Sequence, residues 1–212
     1  MKLHSYFRSS AAYRCRIALN LKGLAHAMAY VHLIKDGGQH TAPAYRALNP
    51  QCLVPTLEVD GEPIPQSLAI LEYLDETHPA PKLLPGDALQ RARIRAFALA
   101  IACDIHPINN LRVMNYLKGP MAQQQAAVDT WYRHWVESGL AACEALLPAG
   151  KSRFCFGDQP TLADCCLVPQ VYNARRFNSD LSKAPRLVAI DAACRALPAF
   201  ANAAPEAQAD AA

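Results

Sequence analysis

Two adjacent serines stand where a protein would hold a reactive anion. Ser9 and Ser10 follow a short β-type run, Lys2–Tyr6, and open the helical pattern Ser10–Lys22 within Arg8-Ser9-Ser10-Ala11-Ala12-Tyr13-Arg14-Cys15-Arg16-Ile17-Ala18-Leu19. A serine oxygen at a helix start accepts from the unpaired N–H groups of the first turn. That end also carries a partial positive charge and outward donors that stabilise anions. From these residues alone two readings stand, a plain helix cap and an anion site that also caps. Gln66-Ser67, at the start of a second helical pattern, poses the same choice. The eight cysteines (15, 52, 103, 143, 155, 165, 166 and 194) form no C-x-x-C pair. They read as small buried residues in a reducing cytosol, with neither zinc nor a disulfide framework expected.

The elements that must position these residues follow in chain order. At 212 residues the chain can bury one large core or two small ones. A net charge of +3 with scattered basic residues argues against nucleic acid. No apolar run approaches membrane-spanning length and the N-terminus lacks a signal-peptide core, so a cytoplasmic globule with no membrane partner is expected. In the first helix Tyr13, Ile17 and Leu21 recur at i, i+4 and i+8 and face a core, and Gly23 stops it. A β-rich run, 27–33, leads into the polar loop 35–40 and a short helix, 43–48, that ends before Asn49-Pro50. Thr56–Val59, the turn Asp60-Gly61 and a run near Ile64 read as a hairpin. Ser67 then caps a helix to about Thr77. The order βαβ-α-ββα predicts an α/β unit with a mixed four-stranded sheet over 1–80.

Residues 81–87 lie in a proline-rich stretch that suits a linker. Helical patterns without strands follow at 88–117, 121–147, 162–176 and 187–196, and Thr161-Leu162-Ala163-Asp164 reads as a capping box. Thr161 and Asp164 are therefore structural. The alanine-rich tail from Pro198 has little to bury and is expected to be loose. An all-helical domain is thus expected over 88–212.

This order resembles the soluble glutathione transferases, and more narrowly their zeta class. Arg8-Ser9-Ser10 and Arg14-Cys15-Arg16-Ile17-Ala18-Leu19 match that class's signature, with Ala11 in the place of its cysteine. Leu33–Gln39, Ala47–Pro50, Val54–Leu57, Gln66–Ile70 and Leu167–Val171 match further motifs, so the resemblance spans nearly the whole chain. It implies a thioredoxin-like domain followed by an all-α domain, in a homodimer that binds glutathione.

The resemblance also implies roles. Ser9 first and Ser10 second would stabilise the cofactor's thiolate, with Ala11 and Arg14 beside them. Val54-Pro55 would be a cis-proline turn whose backbone pairs with glutathione. Gln66 and Ser67 would hold the γ-glutamyl carboxylate, and His40 would lie near the glycyl end. In the helical domain Asp104, His106, Asn110, Leu111 and Arg112 would contact glutathione, often across the dimer. Arg8 and Arg176 would grip a dicarboxylate substrate, Arg112 would serve either ligand, and Arg175 would be a surface charge. The implied activity is cis–trans isomerisation of maleylacetoacetate in aromatic amino acid catabolism. Alternatives are isomerisation of maleylpyruvate, or transfer of glutathione to small electrophiles and α-halo acids. A non-catalytic binding module fits less well with intact Ser9, Ser10, Gln66 and Ser67.

Overall fold

The computed structural model describes residues 1–211. The chain forms two compact units, one made of residues 1–83 with the chain from Ala196 onward, the other of Leu84–Arg195. In the first unit β1 (Lys2–Ser5), α1 (Ser10–Leu21) and β2 (Ala27–Tyr30) make a parallel βαβ turn. After α2 (Pro43–Leu48), the hairpin β3 (Thr56–Val59) and β4 (Glu62–Pro65) precedes α3 (Ser67–Thr77). The mixed sheet has the order β2-β1-β3-β4, with β3 antiparallel to β1. Asp60 and Gly61, both at positive φ, make the expected tight turn of the hairpin. Pro63 and Pro65 are tolerated because β4 is an edge strand.

Helix α1 is buried on nearly every side, from Ala12 to Leu19, so its simple one-face pattern underestimates its burial. It packs against α3 and against α9 (Pro198–Ala201). The tail corrects the sequence expectation. Phe200 is fully buried, Tyr13 Oη donates to its carbonyl at 3.4 Å, and Asn20 Nδ2 donates to Ala199 O at 3.0 Å. The tail therefore belongs to the first unit, where polar groups of α1 hold its backbone.

The second unit comprises α4 (Ala88–Leu99), α5 (Leu111–Lys118), α6 (Gln125–Leu146), α7 (Leu162–Arg176) and α8 (Pro185–Arg195). The pattern expected as one helix over 88–117 is broken. A π turn spans Ala100–Ile105, with His106 N–H donating to Ile101 O at 2.9 Å, and a 3₁₀ turn follows at Pro107–Asn109. Pro107 supplies no N–H to continue the α ladder. Gly139 on α6 makes room for the turn: a Cβ there would lie 2.4 Å from the Ile105 side chain. Asp164 and Thr161 cap α7 reciprocally as expected, and Asp164 also accepts from Cys155 N–H at 2.9 Å. Six cysteines are buried, whereas Cys103 is exposed and Cys52 half-buried. Among the described residues no helix is long and apolar enough to cross a membrane.

At the end of the first unit a buried ion pair fastens the chain leaving α3. Lys22 Nζ donates to Asp75 Oδ1 (2.9 Å), His78 O (2.6 Å) and Pro81 O (2.8 Å), and Asp75 accepts from Leu83 N–H (2.6 Å). Removing one partner of a buried pair strands the other. Lys22→Met is expected to lower the unfolding free energy by about 3 kcal/mol or more, measured by urea denaturation.

Candidate active site

The turn from β1 into α1 is closed by Ser9 N–H donating to Tyr6 O at 2.9 Å. Ser9 is the cap: it has extended backbone angles, and its Oγ accepts from Ala12 N–H at 3.2 Å. Its own hydroxyl proton is thereby left for an outside acceptor. Ser10 and Ala11 form the first turn, Ser10 buried and Ala11 partly so, and no acidic residue offsets the positive helix end there. Arg8 is exposed, its guanidinium 4.8 Å from the centre of the Phe7 ring. Behind the turn, buried Arg16 donates to Ser5 Oγ (3.0 Å), Phe7 O (3.0 Å) and Ala203 O (2.9 Å). Burial pulls its guanidinium down to about 10, still charged at neutral pH.

Arg14 faces differently. Its Nη1 donates to Ser67 Oγ at 3.1 Å, while its buried Nε and Nη2 have no hydrogen-bond partner among the described residues. Ser67 is consequently not the cap of α3. Gln66 holds the cap position at φ +71°, in the left-handed region that non-glycine residues rarely enter, and Ser67 is the first helical residue, its hydroxyl turned to Arg14. The Gln66 amide donates to Gln51 Oε1 at 2.7 Å.

The Val54-Pro55 bond is cis, as the resemblance implies, and so is Ala80-Pro81, which nothing in the sequence singled out. The Val54-Pro55 turn is braced from α2. Asn49 Nδ2 donates to Leu53 O (2.8 Å) and Thr56 Oγ1 (3.1 Å), and Tyr45 Oη donates to Leu53 O (2.8 Å). Asn49 sits in a motif the sequence matched without a role; the structure gives it one. His40 is partly buried, its Nδ1 has no partner among the described residues, and burial lowers its pKa below the usual 6.5.

In the second unit the break between α4 and α5 carries the other expected contacts. Asp104, Leu111 and Arg112 are exposed. Asn110 caps α5 by accepting from Arg112 N–H at 3.2 Å, and its Nδ2 lies 3.5 Å from His106 Nε2. Trp131 Nε1 on α6 donates to Ile108 O at 2.9 Å and pins the turn. Arg176, at the end of α7, is exposed and lies over Phe177 at 5.1 Å, and Phe177 stacks on Tyr132 at 3.8 Å. Arg175 is an exposed charge, as expected, and it donates to buried Asp191 at 2.5 Å.

Thus Arg8, Ser9, Ser10, Ala11, Arg14 and Ser67 are joined through α1 and its contact with α3 in the first unit. Asp104, His106, Asn110, Leu111 and Arg112 share one short stretch of the second. The sequence missed Arg16, Tyr45 and Asn49, which touch no expected ligand position but hold the two turns that do. Their signal, a buried polar side chain aimed at loop carbonyls, exists only in three dimensions.

The glutathione S-transferase N-terminal domain matches residues 8–77, and the corresponding C-terminal domain residues 125–199. A probable maleylacetoacetate isomerase of Vibrio cholerae is 50% identical over 210 residues, covering 99% of this chain and 97% of that protein. The holo structure of a maleyl pyruvate isomerase, a bacterial zeta-class glutathione S-transferase, has a TM-score of 0.96 at 50% identity, with 100% of each chain covered. The maleylacetoacetate isomerase of Anaeromyxobacter dehalogenans, solved with GSH in its active site, gives a TM-score of 0.88 at 45% identity over 100% of this chain and 97% of its own. It has also been solved with dicarboxyethyl glutathione and citrate there, at 43% identity and a TM-score of 0.87 over the same shares.

Two outcomes follow from the geometry. Ser9→Ala removes the α1 cap and is expected to lower stability by about 1 kcal/mol, read by thermal or urea unfolding. An NMR titration of His40 should show a midpoint below that of an unstructured histidine. Since the unfolded chain then binds the proton more readily, His40 withdraws stability as pH falls through 6.5.

Proposed function

This chain belongs to the zeta class of the glutathione S-transferase family, and we propose that it is a glutathione-dependent cis–trans isomerase converting maleylacetoacetate to fumarylacetoacetate. The observation that supports this reading is the β1–α1 turn, in which exposed Arg8, a residue type suited to carboxylates, directly precedes the capping Ser9. The donor set suits an acidic tripeptide. Arg14, beside Ser67 at the start of α3, has two buried N–H-bearing atoms without partners among the described residues, and a buried donor left unsatisfied costs about 1–3 kcal/mol.

Bound glutathione supplies a thiolate, whose reversible addition to the substrate's conjugated double bond lets that bond rotate before elimination. The protein's part is to hold charge. Ser9 donates its hydroxyl proton to the sulfur anion, with Ser10 and the α1 N-terminus adding positive potential. Lowering a thiol by one unit from its ordinary pKa of about 8.5 corresponds to ~1.4 kcal/mol, within reach of one charge-assisted hydrogen bond. Arg14, Gln66 and Ser67 take the γ-glutamyl carboxylate, the Val54 backbone pairs with the cysteinyl residue, and His40 lies near the glycyl end. Arg8 and Arg176 grip the two carboxylates and stabilise the negative charge that develops on the keto groups. No protein nucleophile is required, so Ala11 in the cysteine's place leaves the chemistry intact. The protein acts as a cytoplasmic homodimer in which Asp104, His106, Asn110, Leu111 and Arg112 extend the glutathione site, with Arg112 able to serve the substrate. The relative holding dicarboxyethyl glutathione supports an active site that accommodates a two-carboxylate group on glutathione.

A second reading, isomerisation of maleylpyruvate, is favoured by the structural likeness to the maleyl pyruvate isomerase. Both acids are short keto dicarboxylates that the same arginines would grip. The deciding experiment follows the absorbance of each acid with and without glutathione. Glutathione-dependent loss of the cis acid is expected, and no such change with either acid would remove the isomerase reading. Ser9→Ala should lower kcat/KM roughly tenfold, equivalent to ~1.4 kcal/mol of thiolate stabilisation. Arg176→Ala should lower kcat/KM for the maleyl acid by about 10–100-fold, the value of a charged hydrogen bond, while glutathione affinity stays near wild type.

A further inference from the structure

The last residues of the chain reach the turn that carries Ser9. Asp210 Oδ2 accepts from Phe7 N–H at 3.0 Å, and Arg16 Nη2 donates to Phe7 O at 3.0 Å. Both backbone polar groups of Phe7 are thus held by side chains of opposite charge, and the Asp210 charge favours the charged form of Arg16. Arg16 is tied in turn to the tail through Ala203 O at 2.9 Å. Ala211 packs on the apolar cluster of Tyr6, Phe7, Val31, Tyr45 and Val54, which includes the residue on the N-terminal side of the cis bond. Phe7 is followed directly by Arg8 and Ser9, and its position in the Tyr6–Ser9 turn sets where both emerge.

We propose that Asp210, acting with Arg16, is a positioning residue for the thiolate site: it clamps Phe7 and so fixes the direction of the Ser9 hydroxyl and the Arg8 guanidinium. The proposal deepens the isomerase reading and rests on it only for Arg8; its Ser9 half requires glutathione alone. Asp210 lies 201 positions along the chain from Ser9, in a segment with no motif of its own. A capping serine held by a rigid turn keeps its proton aimed at one point, whereas a loosened turn spreads that aim and weakens the charge-assisted hydrogen bond.

The test uses the full chain and Asp210→Ala, with Asp210→Asn as the conservative variant that keeps an acceptor oxygen. Three readouts separate positioning from mere stability: amide exchange of residues 7–10, the pH midpoint of thiolate absorbance near 240 nm with bound glutathione, and the division of the isomerase defect between KM and kcat. In Asp210→Ala the turn amides should exchange about tenfold faster or more. The thiolate midpoint should rise by about half a unit, and KM for the maleyl acid should rise about three- to tenfold. Asp210→Asn should restore most of each. Faster exchange with an unmoved thiolate midpoint and unmoved KM would overturn the proposal, as would unchanged exchange. A wild-type protein that turns over neither acid, with a midpoint that still moves in Asp210→Ala, would refute the isomerase reading and leave the clamp standing. Should Asp210→Ala not fold, Asp210→Ser shortens the reach while keeping polarity and carries the same readouts.

Discussion

A guanidinium removed from water must find an acceptor for each edge of its fork, and Arg16 is in that position. Desolvating a charge costs several kcal/mol unless hydrogen bonds compensate, so the acceptors around Arg16 cannot be placed freely. They are Ser5 Oγ at the end of β1, Phe7 O in the turn and Ala203 O in the tail. One side chain on α1 therefore joins a strand end, a turn and the chain's last segment. Ser9, the cap of α1, closes that same turn through its N–H to Tyr6 O.

The same helix holds two buried arginines in opposite conditions. Arg14 and Arg16 are two residues apart, about 200° around the helix, and therefore point to nearly opposite sides. Arg16 has its polar atoms engaged by this chain, whereas Arg14 keeps two nitrogens without a hydrogen-bond partner among the described residues. A satisfied buried cation braces the framework, and an unsatisfied one is a feature that calls for an explanation. The helix is thus tied to its surroundings along one side and keeps open donors along the other, with Ser9 at its tip.

Much of this was legible in the sequence because it depends on local rules. Periodicity and turn residues give α2 and α3 their observed ends, Asp60-Gly61 gives the hairpin, and Thr161 with Asp164 gives the start of α7. What escaped depends on distant partners. Ser67 reads locally as a cap, yet its hydroxyl is turned to Arg14, 53 positions earlier. The tail looks too poor in large apolar groups to pack, but Phe200 and a row of backbone carbonyls meet donors on α1. Arg175 is the exposed charge it looks like, but its buried partner Asp191 lies on the next helix and leaves no local sign. As helix caps, Ser9 and Ser10 are equivalent candidates by local rules alone. The Tyr6–Ser9 turn separates them by making Ser9 the cap.

The π turn at Ala100–Ile105 amounts to a change of phase. An α-helix advances about 100° per residue, and a π turn accommodates one extra residue without lengthening the ladder. A helical wheel drawn in a single phase from Ala88 therefore goes wrong by roughly that angle across the turn, and it ends soon after, because Asn110 is extended and α5 starts afresh. The turn leans on α6 through Ile105, and Trp131 of α6 holds Ile108 O. Asp104 in the turn and Arg112 in α5 are both exposed. A single-residue insertion of this kind lets a chain convert a stretch of packing helix into a polar rim without redesigning the helices on either side.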